Sequence, residues 1–221
     1  RGDNGRLRAA MPLYAKMHSR GEFVFDQSWA DAYERAGGAY YPKLLTAVPF
    51  TPVTGRRRLV PKGPDEAQLK AALLTGAIQL AEENRLSSLH INFVDSDDAE
   101  TLANTGLLSR TDQQFRWVND GYASFDDFLA ALSSAKRKNL RKERAKAQDG
   151  LTFVHLTGDA ITEDHLDSFY HFYIDTGSRK WGSPYLTRLS FSLLRERMAD
   201  DLLFVFAMED GEPIAGAMNL I

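Results

Sequence analysis

Cysteine is absent from this chain of 221 residues. That excludes disulfide staples and thiolate chemistry, and it fits a reducing compartment, so a cytoplasmic location is the expectation. Long apolar runs are missing too. No stretch reaches the roughly 18 residues of a membrane span, and the polar N-terminal segment "RGDNGRLRAA" lacks the apolar centre of a secretion signal. Histidine is sparse and scattered, at His18, His90, His155, His165 and His171. The nearest pair, His165 and His171, points to different sides of a helix, so no metal site is expected. An overall excess of positive charge is also lacking. The formal net charge of −3 argues against a uniformly basic nucleic-acid-binding coat.

What is present is enough apolar material, 43% of residues with 11% aromatic, to build a sizeable core. Strands are predicted at "GRLRAAMPLY", "KLLTAVPF", "SLHINFVD", "QFRWV" and "LTFVHL". The Asp210-Gly211 turn joins two further apolar runs into a hairpin. "DQSWADAYERAGG" predicts a short helix capped by Asp26 or Ser28, with Trp29 and Tyr33 on one face and Gly37-Gly38 at its end. Pro64 opens a long helix to about Asn84, with Asp65 and Glu66 favoured at its start by the helix dipole. "DDAETLANTG" is a short helix closed by Gly106. Ser124 and Asp127 form a capping box for a helix that continues through the basic run. Thr162 caps a helix whose Leu166, Phe169, Tyr170 and Tyr173 fall on one face, and another helix follows near 187–199. Strands and helices interleave, so the class is α/β (α+β), with no low-complexity linker.

Charge is concentrated in one place. Lys136 to Lys146 packs seven basic side chains and one acid into eleven positions, a net +6 that leaves −9 on the other 210 residues. Arg137, Arg141 and Arg144 fall along one helical row and Lys138, Lys142 and Lys146 along the next, with Leu132, Ala135 and Leu140 free to anchor the helix. Exposed basic helices usually interleave acids, and only Glu143 does so here. Lys136, Arg137, Arg141 and Lys142 are therefore candidates for a phosphate-bearing substrate, a solvated helix face and an anionic membrane surface being the other readings of the run. A second candidate set is the loop "RKWGSPY", with Arg179, Lys180, Trp181 and Tyr185. The triplet Arg56-Arg57-Arg58 reads as a solvated turn, and Tyr40 and Tyr41 as the edge of a core. Glu22, Asp26 and His18, clustered in "HSRGEFVFD", are candidate bases, but spacing singles out none of them.

The two chain ends echo each other: "DNGRLRAAMPL" from Asp3 aligns without gaps on "DGEPIAGAMNL" from Asp210, which predicts equivalent strands in a duplicated domain. The blocks "HSRGEFVFD", "YYPKL", "PFTPVTG", "INFVDSDDAETLANTGLLSR" and "DGEPIAGAMNL" resemble the FemAB-like family of peptidoglycan biosynthesis/recognition proteins. The resemblance implies tandem GNAT-like acyltransferase domains of mixed sheets flanked by helices. Both copies would be partial here, with residues 1–122 in the first, 123–150 as a basic connecting helix and 151–221 in the second. The run Arg137 to Lys142 is similar to the Arg-x-x-Ile-Arg-Lys of Fem aminoacyltransferases, and Tyr173, Thr176 and Arg179 to their Tyr-x-x-Thr-x-x-Arg.

The resemblance implies a transferase that forms an amide bond on an amine of a peptidoglycan precursor or similar small acceptor. Its donor would be acyl-CoA or aminoacyl-tRNA, making tRNA a possible partner, with no bound cofactor expected. One feature of CoA-dependent relatives is missing: no Arg/Gln-x-x-Gly-x-Gly/Ala turn follows "LLTAVPF". Asp65 and Glu66 stand instead where a pyrophosphate would be repelled, so no CoA is expected at that helix start. Two alternatives stand beside this reading. One is a non-catalytic module of Fem-like fold that binds an anionic envelope or nucleic-acid ligand. The other is a CoA-dependent N-acyltransferase whose donor loop lies past Ile221.

Overall fold

The computed structural model describes residues 5–180 and 184–221, and it divides into two compact units, Arg1–Gln113 and Gln114–Ile221. In the first unit a three-stranded sheet has the order β1-β2-β3, with β1 Tyr14–Lys16, β2 Lys43–Thr46 and β3 Leu89–Ile91. β1 runs antiparallel to β2, and β2 runs parallel to β3. A parallel pair needs a long crossover, and helix α2, Glu66–Glu83, supplies it. Leu74, Ala77 and Ala81 are the buried side of that helix. β2 is buried at every position, as its apolar run predicts. Helix α1, Gln27–Arg35, precedes β2, and α3, Ser96–Ala103, follows β3, capped by Asp95, whose carboxylate accepts the Asp98 amide at 2.8 Å.

The strand expected at residues 5–14 is not formed as such. Ala10 makes one isolated antiparallel bridge to Leu59, and regular pairing starts only at Tyr14. Pro12 has no N–H to give to a ladder, which accounts for the break.

The second unit is antiparallel throughout, in the order β4-β5-β6, with β4 Thr152–Leu156, β5 Leu202–Glu209 and β6 Glu212–Leu220. Asp210 and Gly211 turn the hairpin with φ of 51° and 86°, the left-handed geometry that suits the twist of the strands. Leu202, Phe204 and Phe206 alternate into the core with period two, where they meet Ile161, Leu166 and Phe191. Leu166 comes from α6, Glu163–Ser178, and Phe191 from α7, Arg188–Met198. Each such side chain contributes about 1.5–3 kcal/mol on burial. Phe169, Tyr170 and Tyr173 pack around this cluster, as their spacing predicts. Thr162 caps α6 in a reciprocal box with His165.

Three expectations are corrected here. The single helix predicted from Ser124 through the basic run is two, α4 Phe125–Ala131 and α5 Ser134–Gln148, because Leu132 and Ser133 adopt extended ψ of 157° and 151°. Paired serines at 133 and 134 favour such a break. "QFRWV" forms no strand: Phe115, Trp117 and Val118 are exposed, and Trp117 sets its ring edge-on to Phe128 at 6.1 Å. The echoing end segments have different partners, Leu59 for Ala10 and the whole of β5 for β6, so they are not equivalent strands. The basic helix α5 belongs to the second unit.

Candidate functional site

Alternation along β2 and β3 puts Lys43 and His90 on one face of the first sheet. The loop before α1 and Tyr40 cover that face. Lys43 is fully buried, with 0% side-chain exposure, and its Nζ donates to Glu22 Oε2 at 2.9 Å, Asp26 Oδ2 at 2.8 Å and Ser19 Oγ at 2.6 Å. Tyr40 donates its hydroxyl to Asp26 Oδ2 at 2.8 Å, and the Tyr41 hydroxyl meets Ser19 Oγ at 2.8 Å. Both rings lie beside the ammonium, at 5.4 and 5.6 Å. Asn92 Nδ2 reaches Glu22 Oε2 at 3.5 Å. Two buried carboxylates thus share one ammonium, leaving a net charge of −1. The second oxygens of both, Glu22 Oε1 and Asp26 Oδ1, are buried without a hydrogen-bond partner.

Protonation follows from these contacts. Burial pushes the Asp26 carboxyl upward, but the hydrogen bonds from Lys43, Ser19 and Tyr40 outweigh it and hold the group below its usual range, as a carboxylate. Burial and the facing Asp26 push the Tyr40 phenol well up. His90 is pushed down to about 4, first by burial and then by the Lys43 charge, and stays neutral, its Nε2 2.9 Å from Ser88 Oγ.

The backbone around this centre is strained. Phe23, Phe25, Phe50 and Phe93 have φ of 58°, 49°, 56° and 53°, a conformation costing on the order of 1–3 kcal/mol each and concentrated at functional sites. Phe50 and Phe93 lie just past the C-terminal ends of the parallel strands β2 and β3, where ligand crevices form in α/β sheets. A side chain at Gly21, itself at φ 78°, would collide with the Phe50 ring, so the loop carrying Glu22 closes tightly over that end.

Sequence reasoning named Glu22 and Asp26, and the structure brings them together. His18, named with them, is exposed, its Nδ1 accepting the Arg20 amide at 3.3 Å. Lys43 was missed, because a lysine opening an apolar strand reads as an ordinary strand start. Asp26 does stand at the N-cap of α1, but it makes no side-chain cap bond, having given its carboxylate to Lys43 and Tyr40. Tyr40 and Tyr41 are part of this centre.

In the arginine triplet, read as a solvated turn, Arg56 is exposed as expected, but the reading is corrected at Arg57 and Arg58. Arg57 and Arg58 are 3% and 1% exposed. Arg57 donates to the Asn92 carbonyl at 2.8 Å and Arg58 pairs with buried Asp98 at 3.1 Å, which Lys70 joins at 3.0 Å. Both are structural anchors. Asp65 and Glu66 do stand at the start of α2, where Arg8 pairs with Asp65 at 2.5 Å and Lys70 with Glu66 at 3.0 Å.

Of the predicted binding residues, Lys136, Arg137, Arg141 and Lys142 are carried by α5, which buries no residue. Arg141 pairs with Asp126 at 3.6 Å, and Arg144 lies over the Phe125 ring at 4.3 Å. Among the described residues no carboxylate pairs with Lys136, Arg137, Lys138, Lys142 or Lys146. Leu132 and Leu140 are half-buried as anchors, whereas Ala135 is exposed. Arg179 and Lys180 are exposed at the end of α6, with Arg179 tied to Asp175 at 2.6 Å. Tyr185 is exposed, and its amide donates to the Tyr173 hydroxyl at 2.7 Å, which also receives the Leu186 amide at 3.0 Å. Trp181 lies outside the described residues.

A mixed sheet holding a buried acid–lysine centre, with strained loops at its strand ends, has the build of a small-molecule site in an α/β protein. The chain belongs to the FemAB-like family, described as peptidoglycan biosynthesis/recognition, whose model matches residues 1–221. No curated protein matches it. No helix among the described residues is long and apolar enough to cross a membrane.

Proposed function

We propose that the chain is a Fem-like transferase that joins an acyl or aminoacyl group to an amine of a peptidoglycan-precursor-like acceptor. The observation that carries this is the pair of buried carboxylates, Glu22 and Asp26, sharing Lys43 with one oxygen of each left unpartnered. Family membership supports a transferase role, and the tandem GNAT-like reading of the two units rests on the resemblance alone. In the reaction, the amine nitrogen bonds to the acyl carbon and the bond from that carbon to its carrier breaks, a C–O bond in aminoacyl-tRNA or a C–S bond in acyl-CoA. The amine proton passes to the Glu22–Asp26 pair, and the departing oxygen or sulfur takes up a proton. Lys43, with Ser19 and Tyr40, holds Asp26 as a carboxylate.

Lys136, Arg137, Arg141, Lys142, Arg179, Lys180, Trp181 and Tyr185 are proposed contacts for an anionic portion of the substrates. The unpaired cations of α5 equally favour the second reading, a module that binds a phosphate-bearing ligand without catalysis.

The test is transfer from aminoacyl-tRNA and from acyl-CoA to precursor peptides bearing a free amine. Glu22→Gln should lower the rate about 100-fold or more, the scale of losing a general base, with circular dichroism checking that the variant is folded. Absence of transfer from either donor, with anionic ligands still bound, would leave the binding module.

A further inference from the structure

The second unit opens with an aromatic segment that the transferase reading leaves without a role. Residues 114–124 form no helix or strand, and they hold large apolar side chains in water: Phe115 is 90% exposed, Val118 76% and Trp117 67%. Single apolar residues on a surface are ordinary, but three within four positions make a patch, and patches mark interaction sites. This patch is fixed to the helices behind it. Trp117 and Tyr122 set their rings edge-on to Phe128 of α4, at 6.1 and 5.7 Å, and the half-exposed Phe125 lies 5.8 Å from the same ring. α5 is tied to α4 as well, through Arg144 over Phe125 and Arg141 beside Asp126. Those two contacts turn the arginine row of α5 toward α4 and leave the lysine row, Lys138, Lys142 and Lys146, exposed on another side. Aromatic and basic side chains therefore share one continuous surface, and residues 114–148 carry eight basic side chains against four acidic ones. Two of those acids are already engaged, Asp126 by Arg141 and Asp127 by the Ala123 amide at 3.2 Å.

Charge makes the partner anionic, and the apolar segment narrows it further. A nucleic acid asks for a groove that follows its backbone and for ring faces on which bases stack. α5 buries no residue and stands as a ridge, Val118 has no ring, and the Trp117 and Tyr122 rings are engaged with Phe128. An anionic bilayer asks for neither. It takes tryptophan and other apolar side chains into its headgroup layer, and it draws polybasic segments onto its surface; each signal is weak alone, and the two together give stable attachment. Irregular backbone is tolerated at that depth, where water still satisfies its polar groups. Long lysine side chains suit the same boundary, their stems lying against apolar matter while the ammonium stays among phosphates. We propose that the segment Phe115–Val118 and the lysine row of α5 form a docking face for an anionic lipid bilayer, the apolar segment entering the headgroup layer and α5 lying on the lipid phosphates. The inference stands apart from the transferase reading, whose acid–lysine centre lies in the first unit.

Co-sedimentation of the full chain with vesicles tests it, comparing phosphatidylcholine alone with phosphatidylcholine containing about one-third phosphatidylglycerol. The expected result is binding to the mixed vesicles, little to the neutral ones, and release as salt rises. Phe115→Ser combined with Trp117→Ser should lower the affinity about tenfold or more, the scale of apolar side chains kept in water. Lys138→Ala combined with Lys146→Ala should lower it about 30-fold, at about fivefold per cation near the surface. None of these four residues is among the proposed substrate contacts, so lipid binding and transfer are measured independently. All four are exposed, and unchanged thermal midpoints check that the variants fold. No sedimentation with the mixed vesicles at about 1 mM lipid, ten times what a single marginal anchor needs, overturns the proposal. Equal binding to the neutral vesicles does the same, as does unaltered affinity in either double variant. A single-stranded RNA of about 20 nucleotides is the competitor. If it displaces the protein from the mixed vesicles at an equal concentration of phosphate, the face belongs to a nucleic acid and the bilayer proposal falls.

Discussion

A buried lysine between two buried carboxylates is costly to assemble and more costly to break. Lys43→Met leaves Glu22 and Asp26 as uncompensated charges in a dry site, and it should destabilise the fold by about 3–5 kcal/mol. Adding Glu22→Gln and Asp26→Asn to that variant should recover much of the loss, and denaturant midpoints of the two proteins measure the difference. His90 gives a pH signature. Its folded pKa, about 4, lies below its ordinary value of 6.5, so the unfolded chain binds the extra proton first. The stability that His90 confers is full above 6.5 and is lost as pH falls toward 4. Thermal midpoints should therefore drop across that window, and His90→Asn should flatten the drop. The same centre shows what is hard to read at this scale. Asp26 is legible as a helix cap, and it occupies that position, but only the tertiary fold brings Lys43 and Tyr40 to compete for its carboxylate. Nothing in "YYPKLLTAVPF" distinguishes a fully buried lysine from a solvent-facing one.

Elements with strong local chemistry were the readable ones. Thr162, the Ser124 cap, Gly106 after α3 and the Asp210-Gly211 turn all specify their geometry within a few residues. The hairpin gives a direct check: Gly211→Ala places a Cβ at φ 86° and should cost about 1–2 kcal/mol, read as a lower denaturant midpoint. Elements that depend on a partner were misjudged. "QFRWV" has strand composition, but a strand exists only where another lies alongside, and none does among the described residues. The segment at residues 5–14 has the right alternation too, interrupted by the missing N–H of Pro12. The helix through the basic run failed at Leu132-Ser133, where two serines compete with the backbone, and the periodicity on either side gave no warning. Arg57 and Arg58 look like surface charge until the Asn92 carbonyl and Asp98, distant in sequence, arrive beside them.

Across the whole chain, charge is sorted into one helix. α5 buries nothing, and most of its cations lack a partner carboxylate, while the remaining residues carry the compensating negative charge. Near neutral pH the protein should be retained by a cation-exchange resin in spite of its net charge of −3. Charge reversal at Arg137, Arg141 and Lys142 should abolish that retention, and an unchanged elution salt would show that the helix makes no contact with the resin. Segregation of this kind gives the molecule a positive pole. Bulk properties that count every charge, such as migration in an electric field, register an anion. A polyanionic surface meets only the pole that turns toward it, so electrophoresis and adsorption should report opposite signs for the same protein.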